Sequence, residues 1–146
     1  MGIKLGMEAK LYRNTGTYAV PVWAEMGNVR DLTLNLQTGE ADVTVRQNGG
    51  WKASVATLKD ASIEFEQLWD TSDAGFTAIQ DAYFNNTSIE FAVMDGPIDE
   101  SGSQGLRATM SILNFTREEP LEEAIKAKVS CKPTYAANAP QWMVVP

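Results

Sequence analysis

Apolar positions in this chain recur mostly at every second residue. Leu32, Leu34 and Leu36 alternate with Asp31, Thr33 and Asn35, which makes 29–36 an extended segment with one apolar face. Thr38-Gly39 reads as a turn. Val43 and Val45 then alternate with Asp42, Thr44 and Arg46 until Asn48-Gly49-Gly50 breaks the pattern. The clearest strand covers 61–69, where Ala61, Ile63, Phe65 and Trp69 share a face and Ser62, Glu64 and Glu66 lie opposite. Helical spacing would set Ile63 beside Glu66 and Gln67 and leave no apolar stripe. Ile89, Phe91 and Val93 form another alternating run, as do Ile125, Ala127, Val129 and Cys131. Over 106–115 apolar side chains occur on both faces, with Leu106, Ala108, Met110 and Ile112 followed by Leu113 and Phe115. That strand is expected to be covered on both sides.

One segment changes period. Phe76, Ile79 and Tyr83 fall at i, i+3 and i+7, so 73–84 predicts an amphipathic helix. Ser72 or Asp73 is available to cap its free N–H groups, and Asn85-Asn86 to end it. The elements together predict a mainly β chain, a β-sandwich or small barrel with one flanking α-helix. A single domain over 1–146 is expected. Residues 1–28 form an N-terminal arm with a first strand, and 38–59 form a long loop region. Residues 133–146, punctuated by Pro133, Pro140 and Pro146, form a C-terminal arm without regular secondary structure.

Composition narrows the chemistry. The chain has no histidine and one cysteine. The commonest general base and the commonest metal ligand are thus missing, and histidine-dependent triads are excluded. A zinc site would have to be built mostly from carboxylates. No catalytic, cofactor or metal residues are assigned, and an enzyme is not expected. Cys131 reads as a small core residue. No stretch reaches the length of a membrane helix, and Met1 to Met7 has no apolar core of signal-peptide length, so folding in the cytoplasm where it is made is expected.

Net charge is −7 and unevenly spread. Between Lys59 and Arg107 there is no basic residue, while ten acidic ones fall there. Such a chain is not expected to grip nucleic acid, since phosphate affinity comes mainly from Lys and Arg.

Three features remain. Gly49-Gly50 lacks the rest of a phosphate-loop spacing and no helix follows it, so it reads as a flexible loop presenting Trp51 and Lys52 for contact. Trp142, Met143 and Val144 make an apolar chain end that must dock on its own domain or on a neighbour. Glu118, Glu119, Glu122 and Glu123 around Pro120 read as a solvated turn.

In order and spacing these segments resemble the tail tube (major tail) proteins of long-tailed bacteriophages. The likeness rests on Asn28 to Leu34, on Arg46, Gly50-Trp51-Lys52 and Leu58 to Ile63, on the helix after Trp69-Asp70, and on Asn114 to Glu122 followed by Val129 to Thr134. The resemblance implies rings, usually of six copies, stacked into a tube that conducts DNA from capsid to host without binding it. It implies a place in the virion tail after synthesis in the host bacterial cytoplasm. It also implies partners: further copies of the chain, a tape measure, a tail terminator and tail tip proteins. Glu64, Glu66 and Glu90, on polar strand faces, are the expected lumen residues. The alternatives are the inner-tube protein of a contractile injection system, or a small carbohydrate- or peptide-binding β-sandwich using Trp51 or Trp23 as a platform.

Overall fold

The alternating runs become strands. The computed structural model describes residues 3–146 and contains β1 (Lys10–Asn14), β2 (Trp23–Glu25), β3 (Val29–Asp42), β4 (Ser54–Leu68), α1 (Ala74–Asn85), β5 (Ser88–Met94), β6 (Gln104–Glu118), β7 (Lys126–Pro133) and β8 (Gln141–Val144). All pairings are antiparallel, in the order β2-β1-β5-β6-β7-β4-β3. Along one edge of β6, β7 pairs with Met110–Glu118 and β8 with Gln104–Arg107.

The sheet curls on itself. Phe65 in β4 and Phe91 in β5 are separated by β7 and β6, three strand spacings that would span roughly 14 Å in a flat sheet. Their rings meet edge-on with centroids 6.4 Å apart. The two ends of the strand order, β2 and β3, are also joined by only Met26, Gly27 and Asn28. The fold is the expected mainly β one with a flanking helix. Its sheet is single, continuous and open, nearly brought round into a barrel.

Inside the curl lie Ile63, Phe65, Phe91, Ala108, Met110, Val129 and Cys131. Helix α1 lies over β5 and β6 and adds Phe76, Ile79 and Ala82 to the buried set. Of the two possible caps Asp73 is used: its carboxylate accepts the Phe76 N–H at 2.8 Å. Asn86 ends the helix in the left-handed conformation, φ 55°. A second, smaller cluster covers the outer face at β1 and β5, where Tyr12, Ala92 and Met94 pack with Trp23, Ile98, Met143 and Val145.

The doubly apolar reading of 106–115 has a specific cause. The β6–β7 register shifts between Ile112 and Asn114. The extra residue leaves Leu113 exposed and returns Phe115 to the inner face. Close approach fixes one glycine here. A Cβ on Gly105 would stand 1.7 Å from the Val93 carbonyl oxygen of β5.

Two boundaries are corrected. Residues 38–59 are not a long loop: 38–42 and 54–59 continue β3 and β4, and only 43–53 connects them. The shift between Thr38 and Glu40 breaks the alternation there, which hides the strands from pattern reading. The C-terminal arm is not irregular, because Gln141–Val144 pairs with β6 between its flanking prolines. In the N-terminal arm, 10–14 and 23–25 are both strands, and Met1 and Gly2 lie outside the described residues.

Candidate assembly surfaces and conduit face

β3 and β4 stay paired out to Asp42 and Ser54, but β7 borders β4 only from Ile63 to Leu68. The distal part of the hairpin therefore leaves the sheet as a two-stranded ribbon, roughly 25 Å long at the usual rise per residue. Its surface carries exposed apolar side chains among polar ones. Leu36, Val55 and Leu58 are exposed, Leu58 by 87%. A free two-stranded hairpin is marginally stable in water. Large apolar side chains left without cover along a projecting ribbon are candidates for an interaction surface.

The tip is a built turn. Val43 N–H donates to the Ala53 carbonyl at 2.9 Å, and Ala53 N–H donates to Thr44 Oγ1 at 2.9 Å. Asp42 Oδ1 accepts the Thr44 N–H at 2.9 Å, and the hydrogen bonds from Thr44 hold its carboxyl below the usual carboxylate range. A short 3-10 turn at Arg46–Asn48 runs into Gly49 and Gly50, with φ of 63° and 86°. Both conformations favour glycine. The turn presents Trp51, 79% exposed, and beside it the exposed Lys52.

The C-terminal arm docks on its own domain. Met143 turns into the outer cluster with Tyr12 and Met94. Val145 N–H donates to the Ser103 carbonyl at 2.8 Å. Trp142 and Val144 stay half-exposed, and Trp142 Nε1 donates to Gln104 Oε1 at 3.1 Å.

The outer face of β3, β4, β7 and β6 is polar. In register lie Thr33, Glu64, Ser130 and Asn114, and in the next row Arg30, Glu66, Lys128 and Thr116. Lys128 pairs with Glu118 at 3.1 Å and Lys132 with Asp60 at 3.6 Å. The hydrogen bond and charge of Glu118 raise the Lys128 pKa. Four cationic side chains, Arg30, Lys126, Lys128 and Lys132, stand among four carboxylates, Asp60, Glu64, Glu66 and Glu118.

The acidic run seen in sequence thus does not gather on one surface. Asp73 caps the helix, Asp70 accepts from Ser72, and Asp95 accepts from the Gln104 N–H. Glu90 departs most from expectation. It lies on the outer face but is nearly buried and ion-paired with Arg107, whose guanidinium also donates to the Tyr18 carbonyl and stacks on the Tyr18 ring at 3.8 Å. Its charge is already neutralised and covered by the β1–β2 loop.

A family model described as phage tail tube protein matches residues 10–134. The chain belongs to that family. It is a structural subunit of a phage tail tube. No curated protein matches the sequence. Solved structures share the fold. One is similar over 99% of this chain and 100% of the other, with a TM-score of 0.74 and 13% identity, and belongs to the tail of an empty GTA particle refined helically with C6 symmetry. The SPP1 tail tube protein gives 0.68 at 20% identity, covering 89% of this chain and 75% of that one. A protein of the anti-feeding prophage baseplate gives 0.63 at 6% identity, covering 99% and 98%.

For a tail tube subunit the sequence reading placed Gly49, Gly50, Trp51 and Lys52 together, and the structure sets them at one projecting tip. It read Leu36 as part of a half-buried strand and missed Val55 and Leu58, where the shift between Thr38 and Glu40 breaks the alternation, and Arg107, whose partners Glu90 and Tyr18 are distant in sequence.

Proposed function

We propose that this tail tube subunit forms rings of six copies that stack into a conduit carrying DNA from capsid to host, and that the β3–β4 ribbon joins one ring to the next. The observation that carries the reading is the ribbon itself, a hairpin that leaves its own sheet, exposes Leu36, Val55 and Leu58, and ends in exposed Trp51. A head-to-tail contact of this kind propagates without closing and builds a filament. The C6 symmetry of the tail holding a similar fold supports six as the ring number.

The polar outer face of β3, β4, β7 and β6 is the proposed lumen, with Glu64 and Glu66 on it. It works by balance. Lysines matched one for one by carboxylates offer the duplex little net attraction and little counterion release. The tape measure, tail terminator and tail tip proteins are the remaining proposed partners. The role is structural and not enzymatic, and the subunit is made in the host cytoplasm before it enters the virion tail.

Negative-stain microscopy of concentrated protein is the direct test. Rings and tubes are expected, and a monomer at every concentration overturns the reading. Duplex DNA at physiological salt should show no mobility shift with the same preparation. The inner tube of a contractile injection system is the second reading, favoured by the likeness to the anti-feeding prophage protein. A sheath gene beside this one would select it.

A further inference from the structure

We infer that the ribbon tip of one copy seats Trp51 in a cleft at the foot of the same ribbon in a copy of the next ring. The proposal rests on the tube reading above and names the surface that receives the tip. The cleft, about 450 Å³, opens between the N-terminal arm and the start of β3. Met7, Val29 and Leu32 line it over the buried Leu11 and Met26, and Lys10, Glu25, Arg30 and Asp31 stand at its polar side. Its size falls among ligand pockets, which run from about 300 to 1,000 Å³. Trp51 is a large apolar side chain with no cover in its own subunit.

Position is the first argument. Along β3 the cleft borders Val29–Leu32 and the tip begins after Asp42. At the usual rise per residue they lie roughly 40 Å apart. A contact repeated along a filament needs its two halves on opposite ends of the subunit, and the ribbon supplies both.

Charge is the second. Residues 43–53 carry Arg46 and Lys52 and no acid. At the foot, Leu68 N–H donates to the Asn28 carbonyl and Trp69 N–H to the Ile125 carbonyl, which brings 26–32, 68–73 and 117–126 to one end of the sheet. These segments hold seven carboxylates against three basic side chains. The cleft itself is balanced, Lys10 and Arg30 against Glu25 and Asp31, and the surplus of acid lies in the segments around it. A basic tip thus meets an acidic surround, whereas tip-to-tip stacking would set like charges together.

The test uses the full chain assembled into tubes. Gly27 lines the cleft, and a Cβ there meets no heavy atom within 4 Å, so Gly27→Cys is tolerated. Lys52→Cys changes an exposed side chain. Oxidised tubes of the double variant should run as a ladder of linked copies on a non-reducing gel, and each single variant as a monomer. Wild-type tubes give an independent reading through zero-length amine–carboxyl coupling and mass spectrometry. Lys52 should link to Glu25 or Asp31, and the distance within one chain makes any such link a contact between copies. Tubes that form with no ladder, or with Lys52 linked only to other carboxylates, overturn the cleft and leave the tube standing. A wild-type protein that forms no tubes overturns both.

Discussion

The carboxylate of Glu90 and the guanidinium of Arg107 pair across β5 and β6, with side chains only 12% and 10% exposed. Arg107 lies between the rings of Tyr18 and Trp23, so this pair fastens the β1–β2 loop to the outer face of the sheet. Removing one member leaves the other charge buried alone. Arg107→Met is expected to cost about 3–5 kcal/mol in chemical denaturation. Adding Glu90→Gln should recover a large part of that loss, because the stranded charge is gone. Glu90→Lys, set against Arg107, should destabilise the subunit itself.

Trp51→Ala should leave the thermal unfolding midpoint of the monomer nearly unchanged while tube growth is lost. The side chain is exposed, so its truncation opens no cavity. A buried tryptophan would lose about 3–5 kcal/mol on the same change. Circular dichroism melts beside an assembly assay separate these outcomes.

Gly105→Ala should be among the most damaging single changes in the chain. The added methyl would overlap the Val93 carbonyl, a backbone atom that moves only with its strand. Overpacking usually costs about 1–3 kcal/mol, and this case belongs at or above the top of that range. Gly27→Ala, in open space, should stay within about 0.5 kcal/mol of wild type. Urea midpoints of the two variants make the comparison.

Burial pushes the Cys131 thiol up to about 12. Iodoacetamide should therefore label it slowly in the native protein and quickly after denaturation. The same shift makes stability fall with rising pH. In the unfolded chain the thiol ionises near pH 9 and in the folded one near 12, so the contribution is intact below about 9 and is lost towards 12. Cys131→Ala should remove that part of the alkaline loss.

Alternation made much of β3 to β7 legible, and a change of period marked α1, because burial of one face leaves a direct imprint on sequence. What stayed hidden breaks period or reaches far along the chain. The register shift opposite Gly39 erased the distal ribbon, and the one after Ile112 made a half-exposed strand look doubly covered. β8 is four residues between prolines and owes its place to β6. The exposed tip was legible because Asn48-Gly49-Gly50 breaks the alternation just before Trp51. The pairing that neutralises Glu90 was not, because nothing local to Glu90 names Arg107.

The strand order has a consequence for the growing chain. β3 and β4 are neighbours in sequence and can pair as soon as both have left the ribosome. Ile63 pairs with Cys131, and Leu11 pairs with Val93, so both wait for segments synthesised much later. Until then the ribbon is a hairpin with bare edges and exposed leucines and valines, the kind of species that sticks to its own kind. The long-range pairings also slow the final collapse. Nascent subunits crowded on one messenger would therefore meet through their ribbons before they own a core, and co-translational chaperone demand should concentrate between the emergence of β4 and that of β7.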